Sequence, residues 1–140
     1  LLIDIDERTA PLPRRLRGTV DAPIADAYVA GRRRVARAGD AGRAAVTHYV
    51  VREAFGERAA LLELTLDTGR QHQIRLHLQQ LGHPVLGDRV YGGEAGAAAP
   101  RQMLHAWRLA FPHPVTGAPI TVEAPVPDDF ARVMRRLAAR

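Results

Sequence analysis

A chain of 140 residues is long enough for one domain with a buried core, and 46% apolar against 25% charged residues indicates a globular rather than a disordered protein. No stretch approaches the roughly 20 apolar residues of a membrane helix. The acidic start, LLIDIDERTAPLPRR, lacks the basic opening of a secretion signal, and zero cysteines exclude disulfides and thiolate metal sites, which suits a cytoplasmic location. The net charge is +5 and all twenty basic residues are arginine. A planar guanidinium fork matches phosphates and stacks on bases, so nucleic acid heads the partner classes; biased codon usage would produce the same composition.

In chain order, the start reads as a loop, with TAPLPRRLRGTVDAPI broken by prolines and glycine. Residues 26–42, carrying GRRRVARAGDAG, read as an exposed basic excursion. AVTHYVVREAF alternates between faces and predicts a strand; ALLELTLDT predicts a second, and the short GERA between them predicts an antiparallel hairpin. After Thr68 the period changes. Ile74, Leu78 and Leu81 recur at helical spacing until Gly82 and His83-Pro84 end the helix. PVLGDRVYGG and EAGAAAP read as turn and loop. QMLHAWRLAF and PITVEAP are short strand candidates around PHPVTG. PDDFARVMRRLAAR closes the chain as an amphipathic helix, with Asp128 and Asp129 at its positive end and Phe130, Val133, Met134 and Leu137 as its apolar stripe. Hairpins with packed helices make the fold class α+β, with a mixed, mainly antiparallel sheet.

Several chemistries are excluded. His72 and His77 lie five apart, about 140° around a helix, and the other histidines fall in separate elements, so no metal site is expected. Without serine or cysteine, and without a glycine-rich phosphate loop, neither acyl-enzyme nor nucleotide-loop chemistry has its residues.

The densest stretch is DTGRQHQIRLHLQQLGHPVLGDRVYGG. Helical spacing places Gln71, His72, Arg75 and Gln79 on one side. Arg75, between Ile74 and Leu76, is expected to be partly buried and therefore to require an anion. Thr68, Gly69 and Arg70 at the strand-to-helix junction are suited to a phosphate, as are the GRRR loop and Arg101. The alternative is a solvated helix face with one structural ion pair.

TGRQHQIRLHLQQLGHPVLGDRVYGG resembles the TGRtHQIRvHl…lGhPivGD…Yg signature of the RluA-type pseudouridine synthases, which isomerise uridines in ribosomal and transfer RNA. GTVDAPI, GRAAVTHYVV, RQMLHAWRLAFPHPVTG and EAPVPDDF resemble further family segments in the family's order, so the likeness spans roughly residues 18–130. It implies the C-terminal part of a synthase catalytic domain, RNA as partner (ribosomal first, transfer RNA second), base flipping and no cofactor. It further implies that Arg75 pairs with a nucleophilic aspartate, and that Leu76 and its helix, with His72 and Gln73, line the uridine pocket. The family carries its aspartate in an HRLDxxTSG-like box, which nothing in these 140 residues resembles. Asp67 and Asp88 are poor substitutes, and Tyr28 follows GTVDAPI where the family's tyrosine precedes it. The chain alone is therefore expected to be inactive and Arg75 to be uncompensated. A non-catalytic RNA-binding module and a purely structural domain are the competing readings.

Overall fold

A computed structural model describes residues 2–4 and 17–139. In chain order the elements are β1 (Leu2–Asp4), β2 (Arg17–Asp21), β3 (Ile24–Ala25), β4 (Gly42–Arg43), β5 (Val46–Phe55), β6 (Ala59–Leu66), α1 (Gln73–Gln80), β7 (Arg108–Pro112), β8 (Pro119–Glu123) and α2 (Asp128–Ala138). They divide into two compact units, Leu1–Met103 and Leu104–Arg140.

The first unit is built on an antiparallel sheet of order β1-β6-β5-β2. Its centre is the expected β5–β6 hairpin, which turns at Gly56 and carries a bulge between Val51 and Glu53. One face buries Thr47, Tyr49 and Leu62. The other carries Thr19, His48 and Asp67 in a row, with the His48 ring 2.9 Å from the Thr19 hydroxyl and 2.7 Å from the Asp67 carboxylate. The loop expected near the start is corrected in part. Arg17–Asp21 is a strand, paired along its whole length with β5, Thr19 opposite His48. Pairing to a long central strand overrides the local signal of Gly18 within it and of the prolines on either side. The prolines at 11 and 13 lie outside the described residues.

The helix also begins later than expected. Its first residue is Gln73, and His72 before it holds a left-handed backbone, φ 59°. Gln71 therefore lies outside the helix and does not share a helical face with Arg75. Gln73 is the anchor that fixes this start. Its carbonyl oxygen accepts from the Thr68 hydroxyl (2.8 Å) and the Arg70 N–H (2.9 Å), while its amide donates to the Val46 carbonyl and the Thr47 hydroxyl, both at 3.0 Å. One turn deeper, fully buried His77 donates from Nε2 to the Ala22 carbonyl (2.8 Å), and its Nδ1 lies 2.7 Å from the Thr47 hydroxyl. Both polar side chains thus tie α1 to the sheet, and breaking either would strand buried partners.

Residues 26–42 form the expected exposed excursion, with more order than the composition suggests. β3 and β4 pair at its base. At its tip Val29 and Arg32 exchange backbone hydrogen bonds of 2.9 and 3.0 Å around Ala30 and Gly31, both at positive φ (51° and 76°). That is a two-residue hairpin turn of the kind whose twist matches paired strands.

In the second unit, β7 and β8 pair from Arg108–Glu123 to Pro112–Pro119. Strand structure begins only at Arg108, not at Gln102 as the apolar run suggested. His105 Nε2 donates to the Ala124 carbonyl at 3.0 Å. The closing helix α2 has the expected acidic first turn, and it buries Phe130 and Val133 while Met134 and Leu137 remain partly exposed.

Candidate active site

The residues that matter gather in the first unit, where α1, the turn around Asp88 and the tip of the 26–42 excursion converge. Arg75 projects from α1 and grips Asp88 with a two-pronged fork: Nε donates to Oδ2 and Nη2 to Oδ1, each at 2.8 Å. The side chains are 14% and 1% exposed, so this is a semi-buried pair. Asp88 Oδ1 also accepts the N–H groups of Val90 (3.0 Å) and Tyr91 (3.1 Å). Asp88 thus both ties down the turn that PVLGDRVYGG predicts and pairs with Arg75. The expectation of an uncompensated Arg75 is corrected: its anion lies 13 residues along the same chain.

Electrostatics follow from that geometry. Burial by itself would raise the Asp88 carboxyl, but the Arg75 fork and the two N–H donors outweigh it and hold the group below the ordinary carboxylate range. The same hydrogen bonds raise Arg75 despite its burial. Asp88 is therefore held ionised, with Oδ2 taken by Arg75 and Oδ1 shared among Arg75 and the N–H groups of Val90 and Tyr91. Arg75 retains an unused edge, since among the described residues Nη1 has no hydrogen-bond partner.

An aromatic ring packs on the guanidinium. The Arg75 Cζ lies 4.9 Å from the Tyr91 ring centroid, close enough for a cation–π contact. The Tyr91 hydroxyl accepts the Arg33 N–H (2.8 Å) and lies 2.8 Å from His72 Nδ1, to which its own hydrogen is free to donate. The His72 ring meets Tyr91 edge-on at 5.5 Å and Tyr28 at 6.3 Å. Tyr28 and Arg33 are brought together by the hairpin tip. They flank the paired Val29 and Arg32, and the Arg33 guanidinium sits 5.4 Å from the Tyr28 ring centroid.

The same surroundings act on His72 as well. Burial lowers its pKa, the Arg75 charge adds to this, and Asp88 opposes. A lowered histidine pKa favours the neutral ring. The resulting stability is full above the ordinary value of about 6.5 and is lost as the pH falls through the folded value. An NMR titration of the His72 ring protons should give a midpoint below 6.5; a midpoint at or above it would contradict this environment.

The other residues expected to hold substrate divide. Gly69 and Arg70 line an open cleft of about 540 Å³ together with Ile24, Asp26, Arg33, Arg43 and Gln71. Thr68 faces inward, donating to Gln73 and accepting the Val46 N–H at 3.0 Å. Gln73 and Leu76 are 3% and 1% exposed. Gln73 has its amide engaged at both ends, and Leu76 packs with Ile24, Ala45 and Tyr91. Both serve the fold rather than an open surface. Arg101 is half-buried and donates to the Gln102 carbonyl at 2.9 Å. Sequence reasoning missed Tyr91, Arg43 and the pairing role of Asp88. The aspartate three residues before a buried tyrosine, in LGDRVY, was the available signal for the last.

A family model described as RNA pseudouridylate synthase matches residues 3–80. The ribosomal large subunit pseudouridine synthase D of Xanthomonas campestris is 47% identical over 133 residues, covering 86% of this chain and 39% of that protein. Its namesake in Nitrosomonas europaea is 43% identical over 132 residues, covering 86% and 36%. This chain thus spans about two fifths of the length of the curated relatives it matches. Among solved structures, human RNA pseudouridylate synthase domain containing 4 superposes with a TM-score of 0.72 at 25% identity, over 97% of this chain and 59% of that one. Since the family model covers more than half of the sequence and its match takes in Arg70, His72 and Arg75, the chain belongs to the RNA pseudouridylate synthase family.

Proposed function

We propose that this chain is the arginine-bearing part of a synthase that converts uridine to pseudouridine in ribosomal large-subunit RNA, with transfer RNA as the second candidate. In that isomerisation the N1–C1′ bond breaks, the uracil turns, and C5 bonds to C1′ while C5 loses its proton and N1 gains one. The observation that carries this reading is Arg75, held on one edge by Asp88 with its Nη1 edge unused, inside the segment that matches the family. A fixed cation with a spare donor edge can orient and stabilise a second, nucleophilic carboxylate at low dielectric. That carboxylate belongs to the aspartate box that the sequence does not contain, so the isolated chain is inactive on this reading. The names of the relatives support the choice of RNA.

The test is tritium release from large-subunit RNA labelled at uridine C5, by the 140-residue chain alone and by the chain joined to an aspartate-bearing segment of a relative. Release only by the joined protein is expected. Release by the chain alone would overturn the division of labour, and no release by either would overturn the substrate assignment.

A further inference from the structure

The cleft between the 26–42 excursion and residues 69–71 has a feature that the Arg75 centre does not explain. It is lined by three arginines, Arg33, Arg43 and Arg70, against one carboxylate, Asp26. Two of the three are held by neutral acceptors. Arg33 donates from Nη1 to the carbonyls of Ala25 (3.2 Å) and Asp26 (3.0 Å) and from Nε to the Gln71 side chain (2.8 Å). Arg70 donates from Nε to the Ala44 carbonyl at 3.0 Å. Only Arg43 meets the carboxylate, at 3.5 Å, and there both side chains are more than half exposed, so the neutralisation is weak.

The guanidinium groups are therefore oriented without being neutralised. Among the described residues, both terminal nitrogens of Arg70 and Nη2 of Arg33 have no partner. An Nη1/Nη2 edge offers parallel donors spaced for two oxygens of one phosphate. Gly69 leaves the way in open: a Cβ built there meets nothing within 4 Å. The cleft volume of about 540 Å³ lies within the range of small-ligand pockets, roughly 300–1,000 Å³, and so suits a single nucleotide.

We infer that the Arg33–Arg43–Arg70 cleft is a phosphodiester site that holds one nucleotide of the RNA strand beside the reacting uridine. The inference rests on the proposed RNA substrate. Arg33 links the two places, since its backbone N–H donates to the Tyr91 hydroxyl beneath Arg75 while its guanidinium faces the cleft. The contact is to backbone and carries no sequence preference; it sets the register of the strand while base recognition occurs elsewhere.

Two measurements test it. In the first, inorganic phosphate is titrated into the wild-type chain while the arginine Nε–Hε signals are followed by NMR. The signals of Arg33, Arg43 and Arg70 should move, and that of Arg52, paired with Glu63 on β5 and β6, should not. In the second, affinity for a short single-stranded oligouridylate is measured against salt for wild type, R43Q/R70Q, R70K and the control R52Q. The double variant should bind about tenfold more weakly or worse, with the slope of log K against log salt shallower by about 0.7 for each lost phosphate contact. R70K keeps the charge and should keep the slope while losing part of the affinity. Uniform small shifts in the first experiment, or an unchanged slope in R43Q/R70Q, would overturn the site even if tritium release succeeds. Selective phosphate shifts with no tritium release would leave the anion site standing and remove its assignment to this reaction.

Discussion

Replacing Arg75 by methionine should destabilise the chain by about 3–5 kcal/mol at neutral pH, because it leaves Asp88 as a buried carboxylate without its counter-charge. The loss should depend on pH, with a sign that follows from the pair. In the wild type the Asp88 carboxyl is held low, so the pair contributes fully above the unfolded carboxyl value of about 3.9 and is lost as the pH falls through the folded value. In the variant, protonating Asp88 removes the unpaired charge. The difference between the two proteins should therefore shrink as the pH is lowered from 8 toward about 4. Urea unfolding across that range measures it directly. The double change R75M/D88N should recover much of the loss, since asparagine still offers an oxygen to the N–H groups of Val90 and Tyr91. A loss below about 1 kcal/mol that does not vary with pH would mean the pair is effectively solvated. In the protein joined to an aspartate-bearing segment, R75M should abolish tritium release while oligouridylate affinity stays close to wild type, because the cleft arginines are untouched.

The second large effect is expected at Gly87, beside the aspartate. Its φ is +78°, and a Cβ there would land on the carbonyl of Arg101. Gly87 also donates to the Ala95 carbonyl at 2.9 Å, while the Met103 N–H reaches the Leu86 carbonyl at 2.8 Å, so the chain is held on both sides of the turn. Gly87→Ala therefore combines a left-handed alanine, about 1–2 kcal/mol, with a backbone clash of about 1–3 kcal/mol. Gly93 separates the two contributions, since its φ is +55° and it faces open space. Gly93→Ala should lose only the conformational part, and Gly87→Ala at least about 1 kcal/mol more. Equal losses would show that the turn yields easily. Because Gly87 precedes Asp88, its variant should also loosen the Arg75 fork, visible as a shift of the Arg75 Nε–Hε signal; the Gly93 variant should leave that signal in place.

How far the sequence could be read follows from the range of the forces at each point. The β5–β6 hairpin was legible because alternation and a short turn are local, and α2 because its acidic first turn and apolar stripe are local too. β2 was not, since a five-residue strand that contains a glycine and lies near prolines exists only through its pairing with β5. The start of α1 was misplaced for a related reason. Gln73 fixes it through bonds to Thr47 and Val46, some 26 residues away, and no periodicity reports a contact of that kind.

The candidate site divides in the same way. From its neighbours Ile74 and Leu76, the sequence determined that Arg75 would be half-buried and would need an anion, because the cost of an unpaired interior charge holds in any fold. It determined the family as well, through a motif whose spacing is itself local. Which anion answers Arg75 was decided only by tertiary structure, which folds the turn at Asp88 back against α1. The same is true of the arginine cleft. Arg33, Arg43 and Arg70 stand far apart in sequence and become one site through a hairpin turn at Ala30–Gly31 and a two-residue ribbon, neither of which local propensity announces. Charge type is written residue by residue; charge proximity is a property of chain path, and chain path is set by the summed burial and hydrogen bonding of the whole unit.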